Sequence, residues 1–293
     1  MKKLAVERSP SWLFLKKGAC SLWINRDFER ETDGALLIDP DLLFSSPQCQ
    51  VIKNQRKIKV GRICLEIGGR SRWVYLKRYN AFSLRYRLGS LFGASAALRS
   101  LRGATILLQA GFLTGRPIAA VEYRSGGMLT KSFYLSEEIQ DGKVLDAYWR
   151  EELAAMPGPG GFRRRRRFLK SLAALLSSLH RMRIYHNDLK DANILVASNG
   201  QDRSEAFYLL DLEGVRKCGH LNRRRRIKNL VQLNRTMGIF LDASQKLFLL
   251  KSYLGNGFLD QNEKKKWIQE VLAESKRRDE RSRRKQGSRC YLD

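Results

Sequence analysis

Cysteine, histidine and acid are all scarce in this chain, and each scarcity excludes something. The five cysteines (Cys20, Cys49, Cys64, Cys218 and Cys290) include no C-x-x-C pair, which argues against a disulfide framework or a zinc knuckle and for a reducing compartment. Three histidines are present, and the spacing of His180, His186 and His220 with Cys218 matches no common metal site. Long apolar runs are missing too. The longest stretch free of charge runs from Gly103 to Gly115, short of the ~18 apolar residues a spanning helix needs. Behind Met1-Lys2-Lys3, the residues Glu7, Arg8, Lys16 and Lys17 interrupt any signal-like apolar core. No internal repeat is visible. A cytoplasmic protein is the expectation.

What is abundant is positive charge. The 293 residues carry 56 Lys+Arg against 29 Asp+Glu, a formal net charge of +27. Between Gln50 and Thr105 there are thirteen Lys/Arg and a single acid, Glu66. Further basic runs lie at 163–167, 223–226, 264–266 and through 276–289. Such a surplus attracts phosphate-bearing partners by Coulomb force and counterion release, and nucleic acid, anionic lipid and phosphorylated glycolipid would all satisfy it. At 43% hydrophobic residues the chain is not a disordered polycation, and its length suits two modest domains or one large one.

Patterning gives the organisation. Ile58, Val60, Ile63, Leu65 and Ile67 are strand-like, and Gly68-Gly69 predicts a hairpin turn into Trp73-Val74-Tyr75-Leu76-Lys77. Residues 84–109 read as one or two helices with Gly93 as the interruption, followed by strands near 118–123 and 131–135 around Ser125-Gly126-Gly127. A helix over 146–155 stops at Pro157-Gly158-Pro159-Gly160-Gly161. The clearest helix covers 163–183, where Phe168, Leu169, Leu172, Leu175, Leu176, Leu179 and Met182 form one apolar stripe. Two short buried strands, 194–196 and 207–210, flank a polar loop at 198–205, and 222–274 reads as helices. The expected division is an extension over 1–48, a small, mainly antiparallel β lobe over 49–138, a mainly helical lobe over 139–274 and a basic tail over 275–293, frayed or disordered. The five tryptophans are expected to pack cores or lobes.

One segment rises above composition. His186-Asn187-Asp188-Leu189-Lys190-Asp191-Ala192-Asn193 follows the striped helix and precedes Ile194-Leu195-Val196, and Leu209-Leu210-Asp211-Leu212-Glu213-Gly214 comes later. This resembles the catalytic loop H-R-D-L-x-x-x-N and the D-F-G of protein-kinase-like folds, with Val74-Tyr75-Leu76-Lys77 standing where V-A-I-K would be. The fold implied is α+β, two-lobed and protein-kinase-like. Phosphoryl transfer needs charge neutralised on the β- and γ-phosphates and an acceptor hydroxyl held in line. By that resemblance Asp188 accepts the hydroxyl proton, Asn193 and Asp211 hold Mg²⁺ through hard oxygens, Lys190 lies beside the transferring phosphate and Lys77 holds the α/β-phosphates of ATP. His186 braces the loop. Backbone groups around Glu138 and Ile139 fall where the lobes join and would contact adenine. Four departures stand out. There is no G-x-G-x-x-G before Lys77, no acid between Glu66 and Glu122 to pair with it, an extra Glu213 before Gly214, and no A-P-E. Ser100 sits near the position expected for the missing glutamate, and Glu122 is one candidate replacement.

A narrower resemblance covers roughly residues 50–255. It rests on Tyr75-Leu76-Lys77-Arg78-Tyr79, on the stretch from Gly111 to Glu122, on 185–195 and 209–215, on Leu233-Asn234-Arg235 and on Phe248-Leu249-Leu250-Lys251-Ser252-Tyr253-Leu254. These are similar to the bacterial lipopolysaccharide kinases, which phosphorylate Kdo or heptose sugars of the inner core. The resemblance implies ATP and Mg²⁺ as cofactors, a lipopolysaccharide glycolipid as substrate, and a peripheral position at the cytoplasmic face of the inner membrane. The charge agrees: a densely phosphorylated, carboxylated glycolipid and an anionic membrane surface attract a +27 chain, whereas a cationic aminoglycoside would be repelled. Two other readings carry different expectations. A pseudokinase scaffold would bind nucleotide or lipid without turnover, and a nucleic-acid-binding protein would have no use for Asp188, Asn193 and Asp211 together.

Overall fold

The computed structural model describes residues 12–29, 37–67, 69–199 and 204–287. It divides into two compact units, one comprising 1–140 with 211–215 and the other 141–210 with 216–293.

The first unit is built on a seven-stranded sheet whose neighbours are all antiparallel. Its strands are β1 (Trp12–Lys17), β2 (Cys20–Asn25), β3 (Gln50–Asn54), β4 (Ile58–Ile67), β5 (Arg70–Asn80), β6 (Pro117–Ser125) and β7 (Met128–Glu137), in spatial order β1-β2-β6-β7-β5-β4-β3. The first two strands correct the expectation of an extension over 1–48, since β2 pairs along β6 from Cys20↔Tyr123 to Ile24↔Ala119. The β6–β7 turn works because Gly126 and Gly127 take φ +55° and +77°, the two left-handed positions a tight hairpin turn demands. The β4–β5 turn includes Gly68, which lies outside the described residues.

Alternation along the strands sorts the two faces. Leu22, Ile24, Val74, Leu76, Val121, Phe133 and Leu135 pack one face with Phe28, Leu43 and Phe44. Trp23, Ala120 and Tyr134 pack the other against Leu98 and Leu101 of helix α1 (Ala96–Gln109), which Ser95 caps by accepting from Leu98 N–H. Leu76 belongs to the first face, so Lys77, opposite Tyr134 in the register, falls on the face that α1 covers. Gly103 of α1 lets the segment Leu212–Gly214 approach closely; a Cβ there would lie 2.2 Å from the Leu212 carbonyl oxygen.

The second unit carries the short strand β8 (Lys143–Val144), a helical turn Leu145–Tyr148 continued as a π-helix over Trp149–Ala154, helix α2 (Gly158–Arg181), β9 (Ile184–His186), the pair β10 (Ile194–Asn199) and β11 (Ser204–Leu209), and helices α3 (Arg223–Thr236), α4 (Ala243–Leu254) and α5 (Gln261–Gly287). Helix α2 starts five residues before the expected 163, because Pro159 fits its first turn, where a missing N–H costs nothing. Its stripe of Phe168, Leu169, Leu172, Leu176 and Leu179 is fully buried, each side chain contributing about 1.5–3 kcal/mol. The basic tail continues α5 as helix to Gly287, with residues 288–293 outside the described set. Four tryptophans are buried, but Trp73 is 37% exposed and is covered instead by the Arg62 guanidinium, 3.8 Å from its ring centre. Cys20, Cys49, Cys64 and Cys218 are free thiols, and Cys290 lies outside the described residues. Among the described residues no helix is long and apolar enough to cross a membrane.

Candidate active site

The Asp188 cluster lies wholly in the second unit. Strand β9 ends at His186, and the chain turns through Asp188 into a single 3-10 turn, Asp191–Asn193, before β10 begins. That short return brings Asn193 back onto Asp188: its Nδ2 donates to the Asp188 carbonyl at 2.7 Å and to Asp188 Oδ2 at 3.2 Å. Both of these bonds use the amide nitrogen, and Asn193 Oδ1 takes no part in them. The Lys190 ammonium sits 2.8 Å from Asp188 Oδ2. His186 is buried and holds the loop through both ring nitrogens, Nε2 at 2.8 Å from the Leu210 carbonyl and Nδ1 accepting from Asp188 N–H. Its role is bracing. The next residue in the chain after Leu210 is Asp211.

Two anchors of this loop come from α3 and carried no sequence signal of their own. Gln232 Nε2 donates to the Asn187 carbonyl at 2.7 Å, while its Oε1 accepts from Leu189 N–H. Asn229, fully buried, donates through Nδ2 to the His186 carbonyl at 2.6 Å and to Gln232 Oε1. Its Oδ1 must then accept from His180 Nε2 at 3.1 Å, so His180 Nδ1 accepts from the Tyr253 hydroxyl at 2.8 Å. Arg226 donates in turn to Tyr253. Burial pushes the His180 pKa down to about 4, against the raising effect of its hydrogen bond to Asn229. His180 is therefore a neutral structural histidine. Among the described residues no group of three His, Cys, Asp or Glu could hold a metal by itself, whereas Mg²⁺ with a bound nucleotide needs only one or two protein oxygens beside phosphates and water.

The Lys77 cluster lies in the first unit. Burial lowers the Lys77 ammonium's pKa, and the carboxylates of Asp211 and Glu213 raise it back in part. Nearby carboxylates favour the charged form of a buried lysine against the cost of its burial. Asp211 adopts φ +54° and ψ +59°, a left-handed conformation uncommon for a residue with a side chain and concentrated at functional sites. Glu213 lies 3.7 Å from Arg99 of α1. Glu122, in contrast, accepts from Ser95 N–H at 3.0 Å and from Arg124 Nε at 3.1 Å. This corrects the expectation that it replaces the missing partner of Lys77: it braces the start of α1, and the carboxylates near Lys77 are Asp211 and Glu213. Ser100 returns its hydroxyl to the Ala96 carbonyl and lies 3.3 Å from the Tyr79 hydroxyl, whose pKa burial raises.

At the end of β7, Glu138 forms a bidentate pair with Arg62, both bonds 2.9 Å, and its N–H donates to the Trp73 carbonyl. Its backbone donor is thereby occupied.

Comparison with known proteins adds identity to this geometry. No curated protein matches the chain. Among solved structures it is similar to one described as WaaP in complex with acyl carrier protein, with a TM-score of 0.61 and 21% identity over 89% of this chain and 98% of that one; the likeness shows a shared protein-kinase-like fold. The family model described as Lipopolysaccharide kinase (Kdo/WaaP) family matches residues 66–253, a span that contains Lys77, Asp188, Asn193 and Asp211. The chain belongs to the lipopolysaccharide kinase (Kdo/WaaP) family and is a kinase.

Proposed function

We propose that this kinase transfers the γ-phosphate of ATP to a hydroxyl of Kdo or heptose in the lipopolysaccharide inner core, working peripherally at the cytoplasmic face of the inner membrane. The observation that carries the chemistry is the Asp188 cluster, with a carboxylate fixed by Asn193 and flanked by the Lys190 ammonium at 2.8 Å. Asp188 takes the proton as the sugar oxygen attacks the γ-phosphorus, the bond from that phosphorus to the β,γ-bridging oxygen breaks, and ADP departs with the electron pair. Lys190 balances charge on the phosphoryl group in flight. Lys77 holds the α/β-phosphates, its ammonium kept charged by Asp211 and Glu213. Asn193 Oδ1 and the Asp211 carboxylate are suited to Mg²⁺, which would supply neutralisation of the β- and γ-oxygens. Backbone groups around Glu138 and Ile139 are assigned to the adenine edge; the Glu138 N–H already donates to the Trp73 carbonyl, so its carbonyl and the Ile139 backbone are the groups proposed.

The net charge of +27 supports a phosphorylated glycolipid and an anionic membrane surface as partners, and gives a cationic acceptor no place. The test is to incubate the protein with ATP, Mg²⁺ and purified inner-core lipopolysaccharide, then locate any new phosphate by mass spectrometry. Phosphate on Kdo or heptose is the expected result. Label on protein alone, or ATP bound with no acceptor modified, would overturn the reading.

A further inference from the structure

Helices α3 and α5 of the second unit enclose a groove of about 1210 Å³ lined by eight Arg and Lys side chains and two carboxylates, Glu270 and Glu274. The cations fall into two sets. Arg223 pairs with Glu263 at 2.7 Å and Glu270 at 3.1 Å, Arg235 pairs with Asp279 at 2.7 Å, and Arg277 and Arg278 share Glu274. These pairs fasten α5 to α3 and to its own preceding turn, and their charge is compensated. Arg224, Arg225, Lys228 and Arg281 have no carboxylate partner among the described residues.

Four uncompensated cations in one concave surface repel one another, and a bound anion relieves that repulsion. The rim of the groove is tied to the loop that bears Asp188. Lys228 Nζ donates to Asn187 Oδ1 at 2.9 Å. Lys228 and Arg225 each lie 5.5 Å from the centre of the Tyr185 ring, and the Tyr185 hydroxyl donates to Asn187. Asn187 is the residue before Asp188. A flat bilayer does not follow a groove between two helices, whereas a discrete polyanion does, and one seated here ends beside the catalytic loop.

We propose that the α3–α5 groove is the subsite that holds the phosphate groups of the acceptor glycolipid, with Arg224, Arg225, Lys228 and Arg281 as its specificity-determining cations. The inference rests on the acceptor reading above and adds where, and by which charges, the acceptor is gripped. It makes the groove a contributor to acceptor affinity and not to the chemical step.

The test uses the full chain and the double variant R224Q/R281Q, whose substituted residues touch neither the loop nor nucleotide-binding groups. The acceptors are purified inner-core lipopolysaccharide and the same material stripped of phosphate esters with hydrofluoric acid. Removing two exposed charges together should raise KM for the intact acceptor about tenfold, with kcat within about twofold and KM for ATP unchanged. On the stripped acceptor the parent and variant should have equal KM. An unchanged KM on intact acceptor, or an equal rise on both acceptors, would overturn the proposal. So would an equal loss of sedimentation with phosphatidylglycerol vesicles, which would make the groove a bilayer contact. If the parent transfers no phosphate, the acceptor reading fails, and calorimetric binding of the two lipopolysaccharide forms still decides the groove: weaker binding by the variant on the intact form alone supports it, and indifference overturns it.

Discussion

The Asp188 cluster and the Lys77 cluster are stabilised in opposite ways. Around Asp188 the fixing groups come from the loop itself, with His186, Lys190 and Asn193 all within five residues, and from two neutral amides of α3. Around Lys77 the fixing groups are charges from remote stretches of chain: Asp211 and Glu213 oppose the cost of burying an ammonium, and Arg99 of α1 stands beside Glu213. Apart from the Lys190–Asp188 ion pair, the loop is held by hydrogen bonds to neutral groups that need no second charge, whereas a charge balance holds only while every member stays ionised. The first cluster should fail when an atom is removed, and the second when a charge is.

The largest effect is expected at the loop. Asp188→Asn keeps the shape and removes the proposed base, and phosphotransfer should fall about a thousandfold or more with nucleotide affinity nearly unchanged. Single-turnover kinetics beside ATP titration separate the two; loss of both together would mean the loop had collapsed.

The next largest concerns the buried polar chain behind the loop. His180 has its folded-state pKa lowered from 6.5 to about 4, so the unfolded chain binds the extra proton first. The stabilisation is complete above pH 6.5 and declines as pH falls toward 4, by up to about 3 kcal/mol. Urea unfolding at pH 7 and pH 4.5 should show a steeper acid loss in the parent than in His180→Gln. Equal losses would remove His180 from the account.

A smaller effect is expected from Glu213→Gln, where about a tenfold loss in kcat/KM for ATP accompanies removal of one carboxylate near Lys77. The sign with pH is the sharper readout. Glu213 raises the Lys77 pKa against burial, so its loss lowers that pKa further and the alkaline fall in ATP affinity should begin at lower pH. An unmoved alkaline limb would assign the charge balance to Asp211 alone. Glu122→Gln should leave that limb in place, because Glu122 is engaged with Ser95 and Arg124.

The same contrast explains what was legible beforehand. The loop was readable because its members sit at fixed short spacing and the turn from β9 into β10 imposes that spacing. Lys77 was readable from its strand context, but its carboxylate neighbours were not: Glu213 looked like an extra residue, and only the close approach of Leu212 to Gly103 places it by the sheet face that α1 covers. Asn229 and Gln232 are not legible because a neutral amide two or three turns inside a basic helix has no distinctive pattern. Strands β1 and β2 lack a legible pattern for a related reason. The run Leu13-Phe14-Leu15 of β1 does not alternate, and its two neighbours Lys16 and Lys17 are exposed, so an edge strand read as an irregular extension. The far end of helix α5 leaves little pattern in the sequence because its last turns bury little and are held by ion pairs such as Arg235 with Asp279.

The central claim is that Asp188 serves transfer of a nucleotide γ-phosphate to a lipopolysaccharide sugar. Its most direct test is a single-turnover measurement with γ-labelled ATP, Mg²⁺ and purified inner-core lipopolysaccharide, for the parent and Asp188→Asn at matched nucleotide saturation. The account predicts label on the glycolipid with the parent and about a thousandfold slower labelling with the variant. Equal labelling by both proteins, or none by a parent that binds ATP, would contradict it.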